Sequence, residues 1–267
     1  MDILVTLNEN YVPQLRVMLT SLALNCPGEQ TTIWLLHRSL SADTVSSLES
    51  FCLAHALHLR EVKVSGDLFA GAPETKQYPV EMYFRLLAGE LLPKSVSRVL
   101  YIDPDTLVIN PLRELWETDM QGKTFAACAH TGMTELANNI NSMRLGSEKY
   151  YNSGVLLMDL DRARAAITPE RLFSYVAKHK HELILPDQDM LNAMFADDIL
   201  DLPDILWNYD ARNYSNYFLR TSGEADTSWV MAHTAILHFC GRAKPWKPMY
   251  RYRFGVLYKH YMRLAER

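Results

Sequence analysis

The chain has 267 residues, which fits one large domain, or a domain with a small appendage, around a substantial core. A hydrophobic content of 48% with 22% charged residues is that of a globular protein and excludes a disordered or fibrous one. The net charge of -4 gives no electrostatic basis for nucleic acid as the main partner.

Residues 3–7 read as a strand and 11–25 as a helix with Leu15, Met18, Leu19 and Leu22 on one face. Residues 31–36 form a second predicted strand. Ser41 is placed to cap a helix bearing Val45, Leu48 and Cys52, and 59–64 give a third strand. A helix over 79–91 precedes the strand at Val99. This alternation predicts an α/β fold with a mostly parallel sheet flanked by helices on both faces. The second half is less regular. Residues 125–129 and 154–158 read as core strands, 169–181 and 187–195 as helices, and 208–230 as a long polar, aromatic loop. The expected organisation is one compact domain over 1–247 followed by a distinct tail at 248–267.

The stretch 98–109, RVLYIDPDTLVI, is the most informative. Its β-favouring run Val99, Leu100, Tyr101, Ile102 stops abruptly at Asp103, Pro104 and Asp105. Two carboxylates one residue apart at the end of a buried strand can meet one hard divalent cation, which neutralises a diphosphate. In a parallel α/β sheet, that end of the strand is where nucleotides sit. Asp-Pro-Asp is also good turn chemistry, so the motif gains weight only in company.

Four further clusters supply that company. In ILHFCGRAKPW, His238 follows a short apolar strand, Gly241 allows a tight turn and Lys244 precedes a rigid Pro-Trp pair, so imidazole and ammonium can reach a metal and a phosphate together. LVTLNENY is a strand running straight into polar residues and a helix start, the usual seat of a base or ribose. In YYNSGVLLMDL, Asn152 and Ser153 offer amide and hydroxyl groups for sugar hydroxyls. In LPDQDMLN, Asp187, Gln188 and Asp189 stand at a helix N-terminus, where acidic residues also serve as caps.

Taken in order, LNENY, YFRL at 83–86, DPD, YYNSGVLLMDL, PDQDMLN and HFCGRAKPW resemble glycosyltransferase family eight, which contains bacterial lipooligosaccharide galactosyltransferases and glycogenin. The resemblance runs from Ile3 to about Trp246. It implies a Rossmann-like GT-A fold and retaining transfer of glucose or galactose from a UDP-sugar to a carbohydrate acceptor. Manganese is the implied metal, with magnesium as the alternative. By position, the resemblance implies that Asp103 and Asp105, joined by Pro104, bind the metal with His238. Lys244 and Gly241 would contact the diphosphate, Thr6, Asn8 and Tyr11 the uridine, and Arg85 the donor. Asn152, Asp187 and Gln188 would face the donor sugar, with Gln188, Asp187 and Lys244 as catalytic candidates. Several relatives have an acidic residue where this chain has Asn8, which can still hydrogen-bond a uracil edge. Gln188 is a poor nucleophile, and the resemblance favours front-face attack.

Two other readings explain less. A haloacid-dehalogenase-type phosphatase needs DxDx[TV], and here Thr106 comes one position too early. A non-catalytic nucleotide-sugar or glycan-binding protein has no evident need for both aspartates, His238 and Lys244. The cysteines, Cys26, Cys52, Cys128 and Cys240, show no zinc-type spacing and read as reduced thiols. The opening MDILVTLNEN has too short an apolar run for a signal peptide, so the expected location is the cytoplasm. From Gly241 onward the chain is basic and aromatic, which suits peripheral contact with anionic lipid on the inner membrane face. It suits, rather better, a final helix packing Phe254, Leu257 and Tyr261 on the domain with its charges solvated, and both can hold at once.

Overall fold

The computed structural model describes residues 1–65, 81–129, 149–179, 183 and 185–267. Ten strands are described: β1 (Asp2–Thr6), β2 (Thr31–His37), β3 (Leu57–Lys63), β4 (Arg98–Ile102), β5 (Thr106–Val108), β6 (Phe125–Ala129), β7 (Tyr151–Asp159), β8 (Ile199–Asp201), β9 (Tyr209–Asp210) and β10 (Ile236–His238). Seven form one sheet in the order β3-β2-β1-β4-β7-β6-β8, and β5-β10-β9 form a second, small one. In the large sheet six strands share one direction, and β7 opposes its neighbours β4 and β6. This is the expected mostly parallel α/β architecture.

Successive side chains of a strand point to opposite faces, so a strand covered on both sides contributes to two cores. In β4, Leu100 and Ile102 join a core with Ile3, Val5 and Leu157, while Val99 and Tyr101 join another with Leu4, Leu156 and Met158. Both faces are therefore apolar, and helix Val12–Asn25 covers one of them with the face predicted from Leu15, Met18, Leu19 and Leu22. Ser41 caps helix Ala42–Ala54 through the Thr44 N–H at 3.1 Å.

Several elements differ from expectation. The 208–230 loop is largely ordered: it holds β9 and two short helices, Tyr214–Arg220 and Thr227–His233. Each helix buries only one residue, Tyr217 in the first and Val230 in the second, so no periodicity shows, yet Asp226 caps the second by accepting from the Trp229 N–H at 2.7 Å. The 79–91 helix is two short ones, Glu81–Phe84 and Ala88–Leu91, with residues 79–80 outside the described ones. The 154–158 strand begins three residues earlier, so Asn152 and Ser153 lie within β7 rather than before it. Strands β5 and β8 are additions. Residues 180–181 of the 169–181 helix lie outside the described residues, and its described part is Pro169–His179.

The tail packs on the domain. Phe254 and Tyr258 are buried in the cluster around the small sheet, and Asn25 Nδ2 donates to the Tyr261 hydroxyl at 2.9 Å. Among the described residues no helix is long and apolar enough to cross a membrane.

Candidate active site

Strand register brings the motifs together. Strand β4 ends just before Asp103, whose N–H donates to the Gly154 carbonyl at 2.8 Å, so Asp103 stands beside Gly154 on β7. Pro104 has no N–H to continue the ladder, and the Thr106 hydroxyl closes the turn on the Asp103 carbonyl at 2.9 Å. The chain then enters β5, which runs antiparallel to β10 with Thr106 opposite His238. The Phe239 N–H donates to the Asp105 carbonyl at 3.0 Å. Two turns of sequence far apart are thus held face to face by backbone hydrogen bonds.

At that meeting point Asp103, Asp105 and His238 each offer a ligand atom, all within 4.8 Å of one another. His238 Nε2 is 3.4 Å from Asp105 Oδ1 and 3.9 Å from Asp103 Oδ2. Space beside them exists because residue 154 is glycine. A Cβ there would lie 2.4 Å from His238 Cε1 and 2.6 Å from Asp103 Oδ2. Two hard carboxylate oxygens and one imidazole nitrogen are a donor set for manganese or magnesium, so the residues present fit a divalent cation.

The charges around this cluster are ordered. Asp105 is buried, which opposes its ionisation, but the Lys244 ammonium on Oδ2 and His238 outweigh that and hold its carboxyl far below the usual range. Lys244 also donates to the Phe239 carbonyl at 2.8 Å. Burial disfavours the imidazolium of His238, yet the pKa is raised. The Asp105 charge is the cause we identify, because Cys240 is itself pushed up by burial and is a neutral thiol near neutral pH. Arg85 is enclosed rather than turned to an open face. Its guanidinium lies 3.1 Å from Asp103, 3.4 Å from Asp187, donates to the Ser153 carbonyl at 2.9 Å and stacks 4.3 Å over the Tyr101 ring.

Strand β7 and helix Pro186–Phe195 form the other wall. Ser153 Oγ donates to Asp187 at 2.8 Å, and Asn152 Nδ2 and the Ser153 N–H both donate to Gln188 Oε1, at 3.1 and 3.3 Å. Burial raises the Asp187 pKa against the pull of Arg85. Asp189 turns away into the core, where it accepts from the Tyr150 hydroxyl and the Leu185 N–H. The polar start of the chain forms the remaining edge. Thr6 Oγ1 is 3.4 Å from the Tyr101 hydroxyl, Asn8 caps the short turn Glu9–Tyr11, and Tyr11 meets Trp246 edge-on at 6.3 Å. Tyr11, Gly241, Lys244 and Trp246 line a cavity of about 650 Å³.

Sequence reasoning missed three contributors. Gly154 stood inside a quoted motif but was given no role. Asn208 hydrogen-bonds His238 and Asn152, and lay in the stretch read as a loop. Arg212 is gripped by Asp210 through Nε at 2.9 Å and Nη2 at 2.6 Å, and its Nη1 occupies the space that a Cβ on Gly241 would need. No sequence signal marked Asn208 or Arg212.

The profile described as "Glycosyl transferase family 8" matches residues 2–249. The chain belongs to that family. It is 29% identical to the general stress protein A of Bacillus subtilis, covering 98% of this chain and 93% of that protein. It is 24% identical to the lipopolysaccharide 1,2-glucosyltransferase of Escherichia coli K12, covering 89% and 70%. Among solved structures, galactosyltransferase LgtC in complex with donor and acceptor sugar analogs superposes with a TM-score of 0.81 at 24% identity, covering 99% and 96%. An LgtC active-site mutant in which glutamine is changed to glutamate superposes with a TM-score of 0.83 at 24% identity, covering 98% and 95%. The fold is therefore GT-A, and this family 8 member is a glycosyltransferase.

Proposed function

We propose that the chain is a retaining hexosyltransferase that moves glucose or galactose from a UDP-sugar to a glycan or glycoconjugate acceptor. In this reading residues 1–247 are the transferase domain. The observation that carries it is the convergence of Asp103, Asp105 and His238 in a space kept open by Gly154. These three residues would hold manganese, or magnesium in its place. Such a cation supplies Lewis-acid charge that stabilises a departing diphosphate.

The chain's own residues supply the rest. Tyr11 and Trp246 frame the cavity in which a uridine would lie, with Thr6 and Asn8 at its edge. Lys244 holds its charge where the diphosphate would leave, and Gly241 lets the backbone approach it. Gln188, Asp187, Asn152 and Ser153 form a polar wall for the hexose, with Arg85 bracing Asp187 and Asp103. Breaking the C1–oxygen bond builds positive charge on the sugar. A double displacement needs a carboxylate free to attack. Asp187 is tied by Ser153 and Arg85 and Asp189 by Tyr150, which supports front-face attack with the departing phosphate oxygen taking the acceptor's proton. LgtC has a glutamine in its active site, and Gln188 is the glutamine in this wall. The similar proteins named as a galactosyltransferase and a glucosyltransferase support a hexose donor. The test is turnover of UDP-glucose and UDP-galactose: UDP release in manganese that EDTA stops is the expected result.

The tail reading extends this to the cytoplasmic face of a membrane, where four free thiols are at home. Met249 is 72% exposed and Val256 80%, and exposed Arg251, Arg253 and Lys259 lie close to them in sequence. Apolar side chains among cations fit an anionic bilayer. Because Phe254 and Tyr258 are core residues, truncation would damage the fold. The cleaner variant is Met249→Ser with Val256→Ser. It should sediment less with phosphatidylglycerol vesicles than the unaltered chain does, and equal sedimentation would refute the membrane contact.

A further inference from the structure

The amide groups around His238 form a chain whose every donor and acceptor is fixed from one end. The Gly154 N–H can only donate, and it donates to Asn152 Oδ1 at 2.9 Å, which settles the orientation of the Asn152 carboxamide. That same oxygen receives a second bond, 2.9 Å long, from Asn208, so the Asn208 group facing it must be the NH2. The Asn208 carbonyl oxygen is thereby turned to His238 Nδ1, 2.9 Å away. A carbonyl oxygen only accepts, so Nδ1 must carry a proton and donate. The other ring nitrogen, Nε2, is the one facing Asp103 and Asp105. In the opposite direction, Asn152 Nδ2 donates to Gln188 Oε1. His238 and Gln188 are thus joined through Asn208 and Asn152, all four side chains largely enclosed.

We propose that Asn208 is a positioning residue of the cation centre: it holds the His238 ring in the Nδ1–H form and in one rotation, presenting Nε2 to a cation shared with Asp103 and Asp105. The inference rests on the metal reading above. A ligating imidazole is oriented by whatever accepts its other N–H, and loss of that partner typically weakens metal binding by about 10–100-fold. Asn208 is suited to this because it is completely buried and its backbone is fixed. Its own N–H closes helix Asp204–Trp207 on the Asp204 carbonyl at 3.1 Å, and β9 begins at the next residue, pairing in parallel with β10.

The test is manganese binding to the full chain, followed by electron paramagnetic resonance, with the imidazole nitrogen coupling read by electron spin echo. Asn208→Leu keeps the branched shape, in a somewhat larger side chain, but loses the acceptor, and should weaken manganese binding by about 10–100-fold and diminish the nitrogen coupling. Asn208→Asp still accepts from Nδ1–H but cannot donate to Asn152, and should keep both affinity and coupling near those of the unaltered chain. A purely structural role reverses this order, because a buried carboxylate against the Asn152 oxygen is the more disruptive change. Unchanged manganese affinity and coupling in Asn208→Leu, or equal losses in both variants, would overturn the proposal. If the leucine variant does not fold, loss of coupling in a folded Asn208→Asp overturns it alone. Manganese binding without nitrogen coupling in the unaltered chain overturns it too, whereas no manganese binding at all overturns the metal reading beneath it.

Discussion

Asp105→Asn should lower donor turnover by about three orders of magnitude while the protein remains folded. The substitution keeps the shape of the side chain and removes its charge at the point where Lys244, His238 and the proposed cation would all depend on it. A metal's contribution to transition-state charge is several kcal/mol, and about 4 kcal/mol corresponds to that loss at about 1.4 kcal/mol per decade. Stability should fall as well. Asp105 and Lys244 are 11% and 12% exposed, and removing one partner of a buried pair leaves the other uncompensated, at a cost of up to about 3–5 kcal/mol. Lys244 lines the open cavity and can turn towards water, so the measured cost should sit below that range. Steady-state kinetics with a thermal melt checks both parts. Turnover within tenfold of the unaltered enzyme, which is about 1.4 kcal/mol, would remove Asp105 from the proposed centre.

Gly154→Ala should also cut turnover strongly, though less than Asp105→Asn, from one added methyl group. The backbone of β7 accepts any residue there, since Gly154 is not among the residues with positive φ. The effect is therefore steric and local. The new carbon would lie 2.4 Å from His238 Cε1, 2.6 Å from Asp103 Oδ2 and 3.0 Å from Asn152 Oδ1. His238 has little room to yield, because it is buried and held by Asn208. Overpacking of this kind costs about 1–3 kcal/mol of stability. A displacement near 1 Å in a catalytic constellation costs about 100-fold in rate. The expected outcome is a folded enzyme with a lowered melting temperature, weaker manganese binding and a turnover loss of about that size. A variant with unaltered kinetics would show that the space beside Gly154 is not used.

The strongest sequence signals were those in which a pattern is enforced by a buried surface. Leu15, Met18, Leu19 and Leu22 marked a helix face because all four are core residues. The run before Asp103 marked a strand because both of its faces are covered. Expectation failed where helices are too short to display a period. Tyr214–Arg220 and Thr227–His233 each rest on one buried position, only the second has a side-chain N-cap, and they occupy the stretch read as a loop. The site shows the same division. Asp103, Asp105, His238 and Lys244 were legible because their chemistry is unusual at the ends of strands. Gly154 acts through its place in the register of β7, and Asn208 through its position between helix Asp204–Trp207 and β9, which only the folded chain reveals. Arg85 was legible as a member of the site, but its role as a brace between Asp103 and Asp187 comes from its enclosure.

UDP release from UDP-glucose and UDP-galactose, measured in manganese, in magnesium and in EDTA, decides whether the chain is a metal-dependent UDP-hexose transferase. Release from one of the two donors in manganese, and none in EDTA, is the expected result. Asp103→Ala should abolish it. Release that persists in EDTA would contradict the proposed metal-dependent chemistry. Failure of both donors, together with no binding of UDP in manganese, would contradict the assignment of a UDP-hexose as the donor.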